Sequence, residues 1–290
     1  RGKGDVVRPA KAEVNLVQSL SGLLGPVVGG MLYGRFGLWP IVAVSGVCFA
    51  FSAILELFIR IPHTKIPAGK SVAATVTDDM RKSITFIVKE NPVMARVIII
   101  VFCINLFMSS MLIIGMPVII TEYLGISSEW YGVSQGFLAA GGLLGGLCAG
   151  IFSKRLDVSN AHMLLFWCSI GILPMGLVLL AGLPTAVCFW VISIMGMFLM
   201  LFATLFSIQM LSFVQAQTPG DIVGKVISCV MAITTCAQPI GQAVYGVLFE
   251  AFANMPWVVV LGAALVSICI ALYSKASFRA LKGATAPAKA

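Results

Sequence analysis

Eight apolar runs, each long enough to cross a lipid bilayer as a helix, leave this chain few alternatives. They cover about residues 15–34, 38–59, 95–121, 131–152, 162–182, 185–212, 223–249 and 256–274. A hydrocarbon core about 30 Å thick takes roughly 20 apolar residues of helix. A lone strand in lipid leaves its backbone groups unsatisfied, so each run is expected to be helical. Composition agrees. The chain is 59% hydrophobic and 10% charged, whereas a soluble domain has about 25% charged residues. Too few polar groups remain to cover two water-soluble domains of 290 residues. The chain reads as all-α, a polytopic membrane helix bundle with eight transmembrane helices, in contact with a lipid bilayer.

The basic residues set its direction. Of 19 Lys and Arg, 18 lie before the first run, in or at the edges of the links after the second, fourth and sixth, or after the eighth. Only Arg35, between the first two runs, falls on the other side. Lysine and arginine concentrate in cytoplasmic loops. The expectation is an integral plasma-membrane protein with both termini cytoplasmic. The net charge of +8 then reflects loop bias, and no nucleic-acid partner is expected.

The long basic link divides the chain. Residues 1–60 carry two spans, 61–90 form a cytoplasmic central loop, and 91–290 carry a six-helix bundle. Ile61 to Lys70 holds two prolines and a glycine and reads as linker. Thr75 to Glu90 can form an amphipathic helix, with Val76, Met80, Ile84 and Ile87 on one face and Asp78 and Lys82 at i,i+4. Such a helix would lie along the inner membrane surface. A solvated connector is the alternative.

Inside the spans, small and polar residues carry the information. Gly25-Pro26-Val27-Val28-Gly29-Gly30 loosens the first helix at its proline and offers a smooth strip for close approach. The fourth span offers Gly141, Gly142, Gly145, Gly146 and Gly150. Two faces bare of side chains suit each other, so the first and fourth helices are expected to cross. Asn105, Gln135, Gln209 and Gln238 are uncharged polar residues within apolar runs. Such groups must face protein or a watery cavity. They are candidates for a substrate pathway, with Met108 and Phe206 at the same levels. Hydrogen bonds between helices are the alternative reading. Glu56 is the one acidic residue well within a span. It is a proton-carrier candidate; an i,i+4 pair with Arg60 at the interface is the other reading.

The eight cysteines all sit in apolar runs without a CxxC pair, and act as small hydrophobes. His63 and His162 have no metal-ligand spacing. No nucleophile–base pair, phosphate loop or metal cluster stands out. Neither enzymatic activity nor a cofactor or metal is expected.

The pattern of two spans, a long basic loop and six spans resembles the last eight of twelve helices of the major facilitator superfamily. Gly25-Pro26-x-x-Gly29-Gly30 matches the end of that family's antiporter motif on its fifth helix. Thr121-Glu122-Tyr123-Leu124-Gly125 through Trp130-Tyr131-Gly132 is similar to its link between seventh and eighth helices. Gln217-Thr218-Pro219-Gly220-Asp221-Ile222-Val223-Gly224-Lys225-Val226 resembles the loop before the eleventh helix of drug and siderophore exporters. Ser153-Lys154-Arg155-Leu156-Asp157 departs from the family's signature between eighth and ninth helices. The resemblance implies a partial major facilitator fold, 2+6, with the fifth helix against the eighth.

It also implies a secondary transporter working by alternating access. A small-molecule substrate and protons as coupling ion are the partners expected. The branch implied is efflux of drugs, macrolide-like compounds or siderophores. An uptake carrier of the same fold and a non-transporting scaffold or remnant are the alternatives. The chain begins at Arg1 in a basic stretch, and a fragment or truncated product is expected; whether it transports by itself stays open.

Overall fold

The computed structural model describes residues 38–58, 72–152, 160–220 and 222–284, with Leu32 and Phe36 besides. Among them every regular element is helical. Helix α1 covers Leu38–Leu57 and α2 Val72–Thr85, which runs into a π turn, Phe86–Glu90. Helix α3 covers Pro92–Tyr123, α4 Ser128–Phe152, α5 Ala161–Leu180, α6 Thr185–Gln217, α7 Val223–Ala251 and α8 Pro256–Ala284. Seven of these, all but α2, are long and apolar enough to cross a membrane. They coincide with the second to eighth runs of the sequence; the run at 15–34 lies outside the described residues. Helix α6 continues to Gln217, beyond the apolar run, because Phe213 and Val214 still bury side chains there.

Local chemistry explains the breaks. Asn91 caps α3: its side-chain oxygen accepts from the Met94 backbone N–H at 3.3 Å, and Pro92 follows at the first helical position. Pro117 inside α3 has no N–H for the preceding turn, and a π turn, Val118–Tyr123, follows it. Gly182 ends α5 with φ +61, a left-handed conformation that a side chain would strain.

Helix α2 turns its buried face differently from the expected pattern. Ser83, Phe86 and Ile87 are buried, while Met80, Ile84 and Val88 are exposed. The π turn shifts the register after Thr85, so Ile87 leaves the line of Met80 and Ile84. Lys82 pairs with Asp78 at 3.0 Å, as the spacing anticipated. Asp79 reaches Lys225 at the start of α7, 2.7 Å away.

Helices α3 to α8 form one bundle. The most extensive packing is α4 on α6, α5 on α8, α5 on α6 and α3 on α7. The two three-helix units α3–α5 and α6–α8 thus exchange their middle helices, the arrangement of an internal structural repeat. Lipid removes the hydrophobic drive between helices, so close packing has to hold the bundle. Glycines provide it at both exchanged contacts. A side chain at Gly141 or Gly145 would overlap the Met197 or Leu201 carbonyl of α6, and one at Gly241 would overlap the Leu106 carbonyl of α3. Apolar residues cover the perimeter: Leu147, Val247 and Leu265 are each more than 60% exposed. Trp130 and Phe137 of α4 meet Phe189 and Trp190 of α6 edge-on, with ring centroids 5.5–6.2 Å apart across the two helices. This cluster lies where both helices begin, at the end of the bundle opposite α2, the kind of position aromatic side chains favour at a membrane surface.

Candidate functional site

A cavity of about 430 Å³ opens between α3, α6 and α7, with Leu165 and Cys168 of α5 behind it. It occupies the half of the bundle nearer α2. Helix α3 contributes Val97, Val101, Asn105 and Met108, a stripe repeating every three or four residues. Helix α6 contributes Met200, Thr204, Ser207 and Leu211 with the same period, together with Phe206. Helix α7 contributes Ile227, Val230, Met231, Thr234 and Thr235. The volume falls within the range of small-molecule sites.

Two irregular segments shape the wall. A π turn at Asn105–Ser109 interrupts α3 beside the cavity; such turns recur at functional sites. The Asn105 side-chain N–H donates to the Val101 carbonyl at 3.0 Å. The Ser110 hydroxyl, buried behind this turn, lies 2.9 Å from the Asn105 carbonyl and 3.1 Å from the Gln238 carbonyl of α7, tying the two helices together. In α7, Pro239 brings no N–H to the Thr235 carbonyl, one turn earlier on the cavity wall. The Thr234 hydroxyl donates to the Val230 carbonyl at 2.9 Å.

The structure brings together three of the candidate pathway residues, Asn105, Met108 and Phe206. The others lie elsewhere. The Gln135 amide donates to the Tyr131 hydroxyl on its own helix. Gln209 is buried, and its side-chain oxygen has no partner among the described residues. Gln238 offers its backbone carbonyl, not its side chain, to the α3–α7 contact. Glu56 is exposed on α1. Gly141 and Gly145 pack on α6, while no described atom lies within 4 Å of where a side chain at Gly146 or Gly150 would begin. Gly25, Pro26, Gly29 and Gly30 lie outside the described residues. The residues that sequence reading passed over are Thr204, Ser207, Thr234 and Thr235. Their signal was available: small hydroxyl side chains at helical spacing within apolar runs, on the same faces as Met200 and Met231.

A bundle of membrane-length helices with a cavity of small-molecule size defines an integral membrane helix bundle. The family model of the Major Facilitator Superfamily matches residues 10–220, more than half of the chain. The chain belongs to that superfamily and is a membrane transporter of its type. No curated protein and no solved structure matches it.

Proposed function

We propose that the chain acts in proton-coupled efflux of drugs, macrolide-like compounds or siderophores, by alternating access across the plasma membrane. The observation that carries this reading is the cavity between α3, α6 and α7, apolar and studded with hydroxyls. Asn105, Met108 and Phe206 form its substrate-contacting wall. Eighteen of 19 basic residues on one side support cytoplasmic termini and, with them, a cavity in the cytoplasmic half of the bundle. The division into 1–60, 61–90 and 91–290 follows the long basic loop. Gly25-Pro26-x-x-Gly29-Gly30 and the 217–226 loop, which resemble exporter sequences, support the outward direction. Glu56 is the acidic residue offered for proton coupling.

The test is uptake of a radiolabelled macrolide by everted membrane vesicles that contain the protein, encoded by the full-length gene. Accumulation that collapses on adding an uncoupler supports the reading. Flux in the opposite sense makes it an uptake carrier. Normal insertion without flux makes it a non-transporting scaffold.

A further inference from the structure

We infer that the wall built by α3, α5, α6 and α7 takes an uncharged apolar body bearing hydrogen-bond donors, and disfavours any substrate group with a full negative charge. The inference rests on reading this cavity as part of the transport path, and it narrows the substrate class.

Three features of the lining carry it. First, among the described residues none that lines the cavity is Lys, Arg, Asp, Glu or His. A full charge entering here would lose water and meet no counter-charge on this wall. Second, four methionines, Met108, Met200, Met210 and Met231, line the cavity together with Phe206. Thioethers are flexible and polarisable, and conform to bulky apolar shapes. Third, the polar groups include acceptors whose own protons or partners are accounted for. The Thr234 hydroxyl proton is engaged by the Val230 carbonyl, leaving its oxygen to accept. The Thr235 carbonyl has lost its helix partner to Pro239. Asn105 uses one N–H on Val101 and retains its side-chain oxygen. A ligand fits this corner by presenting hydroxyl or N–H groups on an otherwise apolar frame.

Three fluorescent probes of one skeleton separate these features. N-phenyl-1-naphthylamine is neutral with one N–H. Its N-methyl derivative lacks the donor. 5-Anilinonaphthalene-1-sulfonate keeps the N–H, out of reach of its acid group, and adds a negative charge. Each is titrated against the purified chain in micelles of a neutral detergent, with empty micelles subtracted. The neutral N–H probe should bind about tenfold more tightly than the sulfonate and about fivefold more tightly than the methylated probe. Ser207→Lys, on a cavity-lining and exposed position, should reverse the first preference. Met231→Lys should do the same should Ser207→Lys fail to fold. Equal or tighter binding of the sulfonate by the unaltered chain overturns the inference. So does an unchanged preference in a folded lysine variant. Binding in micelles needs no gradient, so absent vesicle transport with these preferences intact removes the proposed function and not the cavity chemistry.

Discussion

Gly241 of α7 lies against the Leu106 carbonyl of α3 so closely that a methyl group at Gly241 would overlap the oxygen and the Ser110 side chain. The absence of a side chain is what lets these two helices meet. The nearest colliding atom, the Leu106 carbonyl oxygen, is backbone and cannot swing aside. Gly241→Ala should therefore destabilise the bundle by about 1–3 kcal/mol through overpacking. Gly246, five residues further on, has no described atom within 4 Å of where a side chain would begin. There the same substitution should be neutral or stabilising by up to about 1 kcal/mol, since alanine is the better helix former. Thermal unfolding of the two variants in detergent, followed by circular dichroism, checks the contrast. Equal melting temperatures would contradict it.

Ser110 joins the same pair of helices by a polar contact. Its hydroxyl is fully buried and within hydrogen-bond distance of the Gln238 carbonyl, 3.1 Å away. In lipid-exposed bundles such a bond contributes about 0.6–2 kcal/mol. Ser110→Ala should lower stability by that amount. Ser212→Ala should leave it unchanged, because the Ser212 hydroxyl bonds within its own helix on an exposed surface. Comparing both variants in the same unfolding assay isolates the interhelical share.

The spans were legible in the sequence because bilayer thickness dictates how long an apolar run must be. Their ends were less so: α6 runs on to Gln217 where packing, not lipid, still rewards burial. Hydropathy also shows that a polar side chain in lipid needs a partner, but not on which side it finds one. Asn105 faces the cavity, Gln135 turns to Tyr131 one turn away, and Gln209 points into packed protein. These three looked alike as letters in apolar runs. The glycines of α4 show the same limit. Composition marked five of them, yet only the fold separates Gly141 and Gly145, pressed on α6, from Gly146 and Gly150, which meet no described neighbour. The π turn after Thr85 had no sequence signature, and it moved Ile87 off the expected face of α2.

Asp79 and Lys225 tie α2 to the first turn of α7 at 2.7 Å, with side chains 32% and 45% exposed. Solvent screens such a pair, so its contribution is about 0.2–1 kcal/mol. Asp79→Asn or Lys225→Gln should raise amide exchange across 72–90 by up to about fivefold, and the Asp79→Lys, Lys225→Asp double variant should restore much of the protection. High salt should mimic the single variants. Exchange that is insensitive to all three changes would mean that Phe86 and Ile87 alone hold the connector in place.

Asn105 and Gln209 make the sharpest comparison for transport. Both are uncharged and polar, and both sit in apolar spans, but only Asn105 lines the cavity. Asn105→Leu removes an acceptor from the polar corner beside Thr235. It should weaken substrate binding by about five- to tenfold, the scale of one hydrogen bond. Gln209→Leu instead removes a buried oxygen that has no partner among the described residues. It should leave substrate affinity unchanged, and stability equal or higher, because an unsatisfied acceptor disappears. The comparison is read as substrate affinity in vesicles at matched expression, together with melting temperature in detergent. Should Gln209→Leu cost as much affinity as Asn105→Leu, the transport path would have to run through the α6 face that carries Gln209, not along the wall of Asn105, Thr234 and Thr235.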